Sequence, residues 1–344
     1  MSQTFQPKVS SKVAVFGASG RTGRFVVSEL RRRGLTPILS GRDAVKLKTV
    51  ADALPGSEAR VASVDDPTSL DRAISGAAAV INCAGPFMDT AEPLIEAAIR
   101  RRIHYLDVTA EQQVVLAAFE RFADAARGAG VVIAPAMAFY GGLGDLLATA
   151  AMGDWATADE ISIAIALDSW KPTLGTRLTG KRNTGRRFVF SNNKLEFLAD
   201  PPPRRAWNFP APFGEQDVMG LGFSEIITIS RHLRTPEIHA FMNLAPIMDL
   251  RNPDTPGPVA ADESGRSSQI FLLEVVARNG SEERRAIARG RDIYAITAPI
   301  VVEAAERILD GRFGASGVAA AGEVFDARDF LRSLCPTHLS IEIR

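Results

Sequence analysis

Over the first 150 residues, short apolar runs alternate with stretches in which apolar residues recur every three or four positions. The runs Val13-Ala14-Val15-Phe16, Pro37-Ile38-Leu39, Val61-Ala62-Ser63, Val80-Ile81-Asn82-Cys83, Tyr105-Leu106-Asp107-Val108 and Val131-Val132-Ile133-Ala134 read as six strands. Between them, Ala91 to Arg101 and Gln112 to Arg127 carry the spacing of amphipathic helices. This alternation predicts α/β architecture, a Rossmann-type doubly wound parallel sheet with right-handed crossovers. The pattern then changes. Ile161, Ile163, Ile165 and Leu167 alternate with polar or small neighbours, which predicts a half-buried strand in an open sheet. Asn279-Gly280, flanked by Ile270 to Arg278 and Arg284 to Arg289, suits a two-residue hairpin turn. A second α+β domain with a mostly antiparallel sheet is expected. The helical stretch Ala298 to Leu309, with Val301, Val302, Ala305 and Leu309 as its stripe, is expected to pack back on the first unit. The resulting division is 1–145, 146–296 and 297–344. Two Pro-rich connections, 200–214 and 245–265, have the length of binding lids or of passive surface loops.

A length of 344 residues fits two domains with their own cores. Lysine plus arginine equals aspartate plus glutamate at 40 each, so no global field draws nucleic acid or an anionic membrane. A small-molecule partner is expected instead. Only Cys83 and Cys335 are present, and Cys83 lies in the fourth apolar run, so a disulfide framework is not indicated and a reducing, cytoplasmic location is expected. Met1 to Ser11 is polar without the apolar core of a signal peptide. No run reaches the roughly 18 apolar residues of a membrane span.

The first strand feeds Gly17-Ala18-Ser19-Gly20-Arg21-Thr22-Gly23 and then a helix through Phe25, Val26 and Leu30. Strand, glycine turn and helix together form a dinucleotide fingerprint: the first glycine permits a tight turn, the second lets backbone approach a diphosphate, and the third lets helix pack on strand. Ser19 and Thr22 complete that turn. Ligands of such sheets collect beyond the strands' carboxyl ends. The second strand ends Ser40-Gly41-Arg42, with arginine where an NAD site places an acid, so NADP(H) is the expected cofactor and Arg42 the partner of its 2′-phosphate. Arg21 and Lys46 are candidates for further positive charge there. After the third strand, one of Asp65 and Asp66 is a candidate for the adenine amino group and the other for a helix cap. After the fourth, Ala84-Gly85-Pro86-Phe87 is small and rigid enough to pass a nicotinamide ribose, with Phe87 as a wall. Thr109 follows the fifth strand, and Thr109 or Asp107 equally suits a helix cap.

The glycine turn, Ile81-Asn82-Cys83-Ala84-Gly85-Pro86-Phe87, His104-Tyr105-Leu106-Asp107-Val108-Thr109-Ala110-Glu111 and Gly141-Gly142-Leu143-Gly144-Asp145 together resemble the saccharopine dehydrogenase-like NADP-binding family, in particular its trans-acting enoyl reductase branch. The resemblance covers residues 12–150, returns weakly at Asp292 to Leu309 and Phe325 to Leu334, and lapses between about 170 and 265. It implies cofactor contacts for Gly17, Gly20, Gly23, Arg42, Gly85 and Thr109. The chain departs from the pattern at Ala110, where many members have glycine.

Hydride transfer commonly needs a proton donor beside the reduced group. The tyrosine-lysine pair of short-chain dehydrogenases is excluded, since Tyr105, Tyr140 and Tyr294 are followed four residues on by Thr109, Gly144 and Ala298. No cluster has metal-ligand spacing and no Gly-x-Ser-x-Gly elbow occurs. Tyr140, on the turn after the sixth strand, ranks first as proton donor. Glu111 is a candidate for orienting substrate or relaying protons, with a capping box as the competing role. His232 and His239 are weaker candidates. The reading is an NADPH-dependent reductase of a carbonyl, imine or enoyl group; the alternative is a catalytically silent NADP(H) sensor. A homodimer through edge strands of the second sheet is a further expectation.

Overall fold

Five of the six apolar runs become strands, and their order fixes where a ligand can enter. The computed structural model describes residues 11–344; the polar start of the chain, apart from Ser11, lies outside the described residues. The first half runs β1 (Lys12–Phe16), α1 (Arg21–Arg32), β2 (Thr36–Gly41), α2 (Ala44–Asp52), β3 (Glu58–Val61), α3 (Pro67–Ala73), β4 (Ala79–Asn82), α4 (Phe87–Arg101), β5 (His104–Asp107), α5 (Gln112–Ala129) and β6 (Val132–Ala134). A π-type turn (Phe139–Leu143) and α6 (Gly144–Met152) lead out of it. There follow β7 (Glu160–Leu167), α7 (Leu174–Arg182), β8 (Phe188–Ser191), β9 (Lys194–Phe197), β10 (Arg204–Asn208), β11 (Glu215–Gly220), α8 (Glu225–His232), β12 (Ile238–Asn243), α9 (Leu244–Arg251), β13 (Ile270–Asn279) and β14 (Glu282–Arg291). The chain ends with α10 (Thr297–Leu309), β15 (Gly317–Val318), α11 (Ala321–Val324), α12 (Ala327–Ser333) and β16 (Ser340–Ile343).

Seven strands form a parallel sheet in the order β15-β6-β5-β4-β1-β2-β3. The chain winds outward one way through β2 and β3 and the other way through β4, β5 and β6, so the direction reverses between β1 and β4. A crevice opens at such a reversal because the two following loops diverge. Five of the strands coincide with the apolar runs; β3, a mostly exposed edge strand without an apolar run of its own, ends at Val61, where the run Val61-Ala62-Ser63 begins, and β15 is too short to leave a pattern and is set by its pairing of Gly317 and Val318 with Val132 and Ile133.

The second sheet is ordered β10-β11-β12-β7-β13-β14-β16, with β8 beside β12 and β9 beside β8. Every pairing is antiparallel except that of β12 with β7. The hairpin of β13 and β14 turns through Gly280 and Ser281, as Asn279-Gly280 indicates. Strand β7 departs from the expected half-burial. Its isoleucines face one core while Ala164 and Ala166 lie under Trp207, Phe209 and Phe241, so both faces are covered. The small residues that read as a solvent face are small because aromatic rings sit on them. The Pro-rich stretches are also more regular than expected: 200–214 contains β10, and 245–265 begins within α9.

Helix α10 lies against α1 through a charged knot in an otherwise apolar contact. Arg33 pairs with Glu29 at 2.7 Å, with Glu306 at 3.0 Å and with Glu303, while Arg307 pairs with Glu303 at 2.7 Å and Asp329 at 2.8 Å. The arginine is only 11% exposed, and its charge holds Glu29 and Glu303 below the usual carboxylate range against the opposing effect of burial. Removing one partner from such a knot strands the others. Arg33→Met is therefore expected to cost about 3–5 kcal/mol of stability, read as a lowered urea midpoint with unchanged slope. A midpoint within error of the wild type would show that the knot contributes nothing.

Candidate cofactor and active site

The glycine turn is built by backbone contacts that exclude side chains. Gly17 has φ +87°, and a Cβ placed on it would lie 2.8 Å from Ala84 N and from Cys83 C, so β1 and β4 touch through glycine alone. A Cβ on Gly23 would lie 2.2 Å from Gly17 O, which fixes α1 on the turn. Gly20 differs: its Cβ would meet only Gly17 O, at 3.3 Å. The middle glycine thus faces outward, where the fingerprint places the diphosphate. Gly20 offers α1 no side-chain cap, and the first turn holds no acidic residue. The positive end of the helix is left for an anion.

Gly17 N and Ala18 N both donate to Ser40 O, which brings the ends of β1 and β2 together. The Ser40 hydroxyl is buried without a partner, and Gly41 lies behind the turn. Arg42 is exposed and has no hydrogen bond or ion pair among the described residues. Ser19 and Thr22 line the turn half-buried. These groups fit a phosphorylated dinucleotide: a glycine cradle, an uncapped helix end, an orphaned hydroxyl and an unpaired guanidinium.

Other candidates are placed differently. Arg21 turns away from the second strand and donates to Asp292 Oδ2 at 2.8 Å and to Gly265 O at 3.1 Å. It is spent on joining the turn to the 258–267 loop, so it does not supply charge to a 2′-phosphate. Lys46 pairs with Asp43, the cap of α2, and is mostly exposed. Asp66 caps α3 by accepting from Thr68 N and Ser69 N, which leaves Asp65 at the exposed rim.

Beyond β4, Cys83, Ala84, Gly85 and Pro86 form a half-buried line, with Phe87 behind it. Ala84 N donates to Asn82 Oδ1, and Thr90 Oγ1 donates to Ala84 O at 2.6 Å, so this line is held at Ala84 through both its amide and its carbonyl. Burial pushes the Cys83 thiol well up, which keeps it neutral. Glu111 departs from capping its own helix. Its carboxyl reaches across to α4 and accepts from Phe87 N at 2.8 Å and Met88 N at 3.3 Å. Burial pushes it up to about 7 despite those donors. Asp107, pushed up to about 6 by burial, accepts from Thr109 N, Ala136 N and the Tyr105 hydroxyl. Neither Thr109 nor Asp107 caps α5; Asp107 ties the β5 loop to the β6 loop, and Thr109 Oγ1 accepts from Glu111 N.

The second sheet closes over this edge. Ser224 Oγ donates to Thr109 O at 3.2 Å, and Gln112 exchanges two hydrogen bonds with the Phe188 backbone. Thr179 of α7 comes so near Gly85 that a Cβ there would lie 2.7 Å from its hydroxyl. Tyr140 is sandwiched between Phe223, with centroids 4.1 Å apart, and Trp170, at 5.4 Å. Its hydroxyl is buried with no partner. Thr109, Glu111 and Tyr140 are thus brought to one edge, while Lys46 and Asp65 lie at the opposite rim. His232 pairs with Asp145 and His239 with Glu237, so neither is free for substrate. Asp292, Glu225 and Arg187 carry no local motif and were not singled out in the sequence.

Residues 13–133 match the saccharopine dehydrogenase NADP binding domain family. A saccharopine dehydrogenase-like oxidoreductase of Bos taurus is 30% identical over 139 residues, 35% of this chain and 32% of that protein. A probable mitochondrial saccharopine dehydrogenase-like oxidoreductase of Arabidopsis thaliana is 26% identical over 223 residues, 60% of this chain and 49% of that protein. The matched stretches span half or less of these relatives' own length. Saccharopine dehydrogenase (L-Glu forming) from Saccharomyces cerevisiae shares the fold at TM-score 0.68 and 11% identity, over 97% of this chain and 100% of that chain. The cytoplasmic expectation does not stand. One relative is named mitochondrial, and another, from Caenorhabditis elegans and 28% identical over 136 residues (36% of this chain, 32% of that protein), is named a lipid droplet localized protein. No described helix is long and apolar enough to cross a membrane. The glycine cradle and the strand order agree with the match of residues 13–133 to the saccharopine dehydrogenase NADP binding domain family.

Proposed function

We propose that the protein is an NADPH-dependent reductase acting on a carbonyl, imine or enoyl group of a small-molecule or carrier-bound substrate. In this reading 1–145 holds the cofactor, 146–296 covers the substrate, and 297–344 braces the two. The carrying observation is the exposed, unpaired Arg42 at the end of β2, beside the uncapped start of α1. Bound NADPH supplies the hydride. Gly17, Gly20 and Gly23 admit the diphosphate, Arg42 neutralises the 2′-phosphate with Lys46 further along α2, and Asp65 is left to receive the adenine amino group. Ala84, Gly85, Pro86, Phe87 and Thr109 shape the nicotinamide end.

Tyr140 is the proposed proton donor. Burial raises its hydroxyl well above the ordinary range, so it stays protonated, and with no internal partner it is free to donate to a substrate atom. Glu111 acts through backbone: its two bonds to the start of α4 hold Gly85 to Phe87 in place. The homodimer through the second sheet's edge strands belongs to this proposal, and light scattering that gives only the monomer mass removes it.

Arg42→Ala is expected to weaken NADPH by about 1.5–3 kcal/mol in titration calorimetry while leaving NADH unchanged. Equal loss with both refutes the assignment. Once a carbonyl, imine and enoyl panel yields a substrate, Tyr140→Phe should slow single-turnover NADPH oxidation by roughly 10²-fold or more. An unchanged rate removes Tyr140. The acid Glu111 has a folded pKa raised above its unfolded value, so its contribution is complete below about pH 4.5 and is lost as pH rises through about 7. Glu111→Gln is expected to remove about 2–3 kcal/mol of the wild type's stability loss between those limits. Parallel stability–pH curves for the two proteins would show that the carboxyl is ionised throughout.

A further inference from the structure

Arg187 differs from three other arginines. Arg33, Arg307 and Arg21 each meet a carboxylate, whereas Arg187 has no ion pair among the described residues. Its guanidinium lies over the Phe223 ring, 4.9 Å from the centroid, and donates one hydrogen bond, to Gly222 O at 2.9 Å. The rest of the fork has no partner among the described residues. The side chain is half-buried, so its spare donors are open to an anion.

Two further polar groups border the same Phe223: Tyr140 stacks on its ring and Glu225 follows it by two residues. The Tyr140 hydroxyl and Glu225 Oε2 are both buried without a hydrogen-bond partner among the described residues. The other Glu225 oxygen accepts from Phe223 N at 3.0 Å. Burial pushes Glu225 up to about 7 against its backbone donors and Arg187, so near neutrality it exchanges between the protonated and ionised forms. The cluster lies at the cofactor edge, since Ser224 bonds Thr109 O and Phe188 bonds Gln112.

We propose that Arg187 and the Tyr140 hydroxyl, with the Glu225 carboxyl beside them, bind the carboxylate of a small molecule seated beside the cofactor edge. A single negative charge selects this class, because Glu225 already interacts with Arg187 and a phosphate dianion would be repelled by that acid more strongly than a carboxylate. The planar fork also matches a carboxylate through two parallel donors. The inference shares Tyr140 with the proposed reductase, but binding does not require turnover.

The test is calorimetric titration of the full chain with hexanoate, hexanamide and inorganic phosphate, with and without saturating NADP⁺. Saturable binding of hexanoate alone is expected, weakened about tenfold or more in Arg187→Met and partly restored in Arg187→Lys. Equal binding of hexanoate and hexanamide, preference for phosphate, or no binding of hexanoate would each overturn the proposal. So would an Arg187→Met protein with wild-type affinity. Thermal unfolding shows whether that variant is folded, and the hexanoate–hexanamide comparison on the wild type decides without it. Absence of NADP⁺ binding would instead remove the reductase reading, while the titrations without NADP⁺ still judge the carboxylate site.

Discussion

Two places where backbone meets backbone without an intervening methyl group set the geometry of the whole amino-terminal half. At Gly17 the turn after β1 rests on the peptide between Cys83 and Ala84, and at Gly23 helix α1 rests on Gly17 itself. Together these contacts lock the ends of β1 and β4 at the point where the sheet reverses direction. The uncapped start of α1 then faces the crevice, and the Ala84-to-Phe87 line borders it. A side chain at either glycine would push the helix off the strand, and every group beyond would shift with it.

Around that fixed edge the second sheet supplies what the first lacks. The first sheet offers backbone amides, small residues and one exposed arginine, which suffice to hold a nucleotide. The second brings the aromatic stack of Trp170, Tyr140 and Phe223, together with buried polar atoms left without partners. Local electrostatics differ accordingly. The α1–α10 contact holds its charges in directly paired clusters, whereas Arg187 over Phe223 makes no direct ion pair among the described residues. Paired clusters brace the fold.

Legibility in the sequence followed the range of the interactions. The glycine turn, the five paired runs and the Asn279-Gly280 hairpin could be read because each is decided within a few neighbouring residues. Burial of both faces of β7 could not, because Trp207, Phe209 and Phe241 come from distant strands to cover Ala164 and Ala166. The same holds for the site. Arg42 is readable from its place after a strand. Arg21 looked equivalent, but Asp292, 271 residues away, claims it. Glu111 matched a local capping pattern, yet its acceptors are used by α4, and nothing near Arg187 in sequence signals that it lies against Phe223 and Glu225.

The last forty residues bear on how the molecule is made. Strand β15 adds to the edge of the parallel sheet beside β6, and β16 adds to the other sheet beside β14, so both sheets receive an outer member from the carboxyl end. During synthesis, neither layer reaches its full width until the segments that follow β14 have emerged from the ribosome. Contacts spanning such separations form late, because a long loop must close before any of them is gained. A chain cut short after β14 leaves two exposed edges at once, which turns a small truncation into an aggregation hazard for the entire polypeptide.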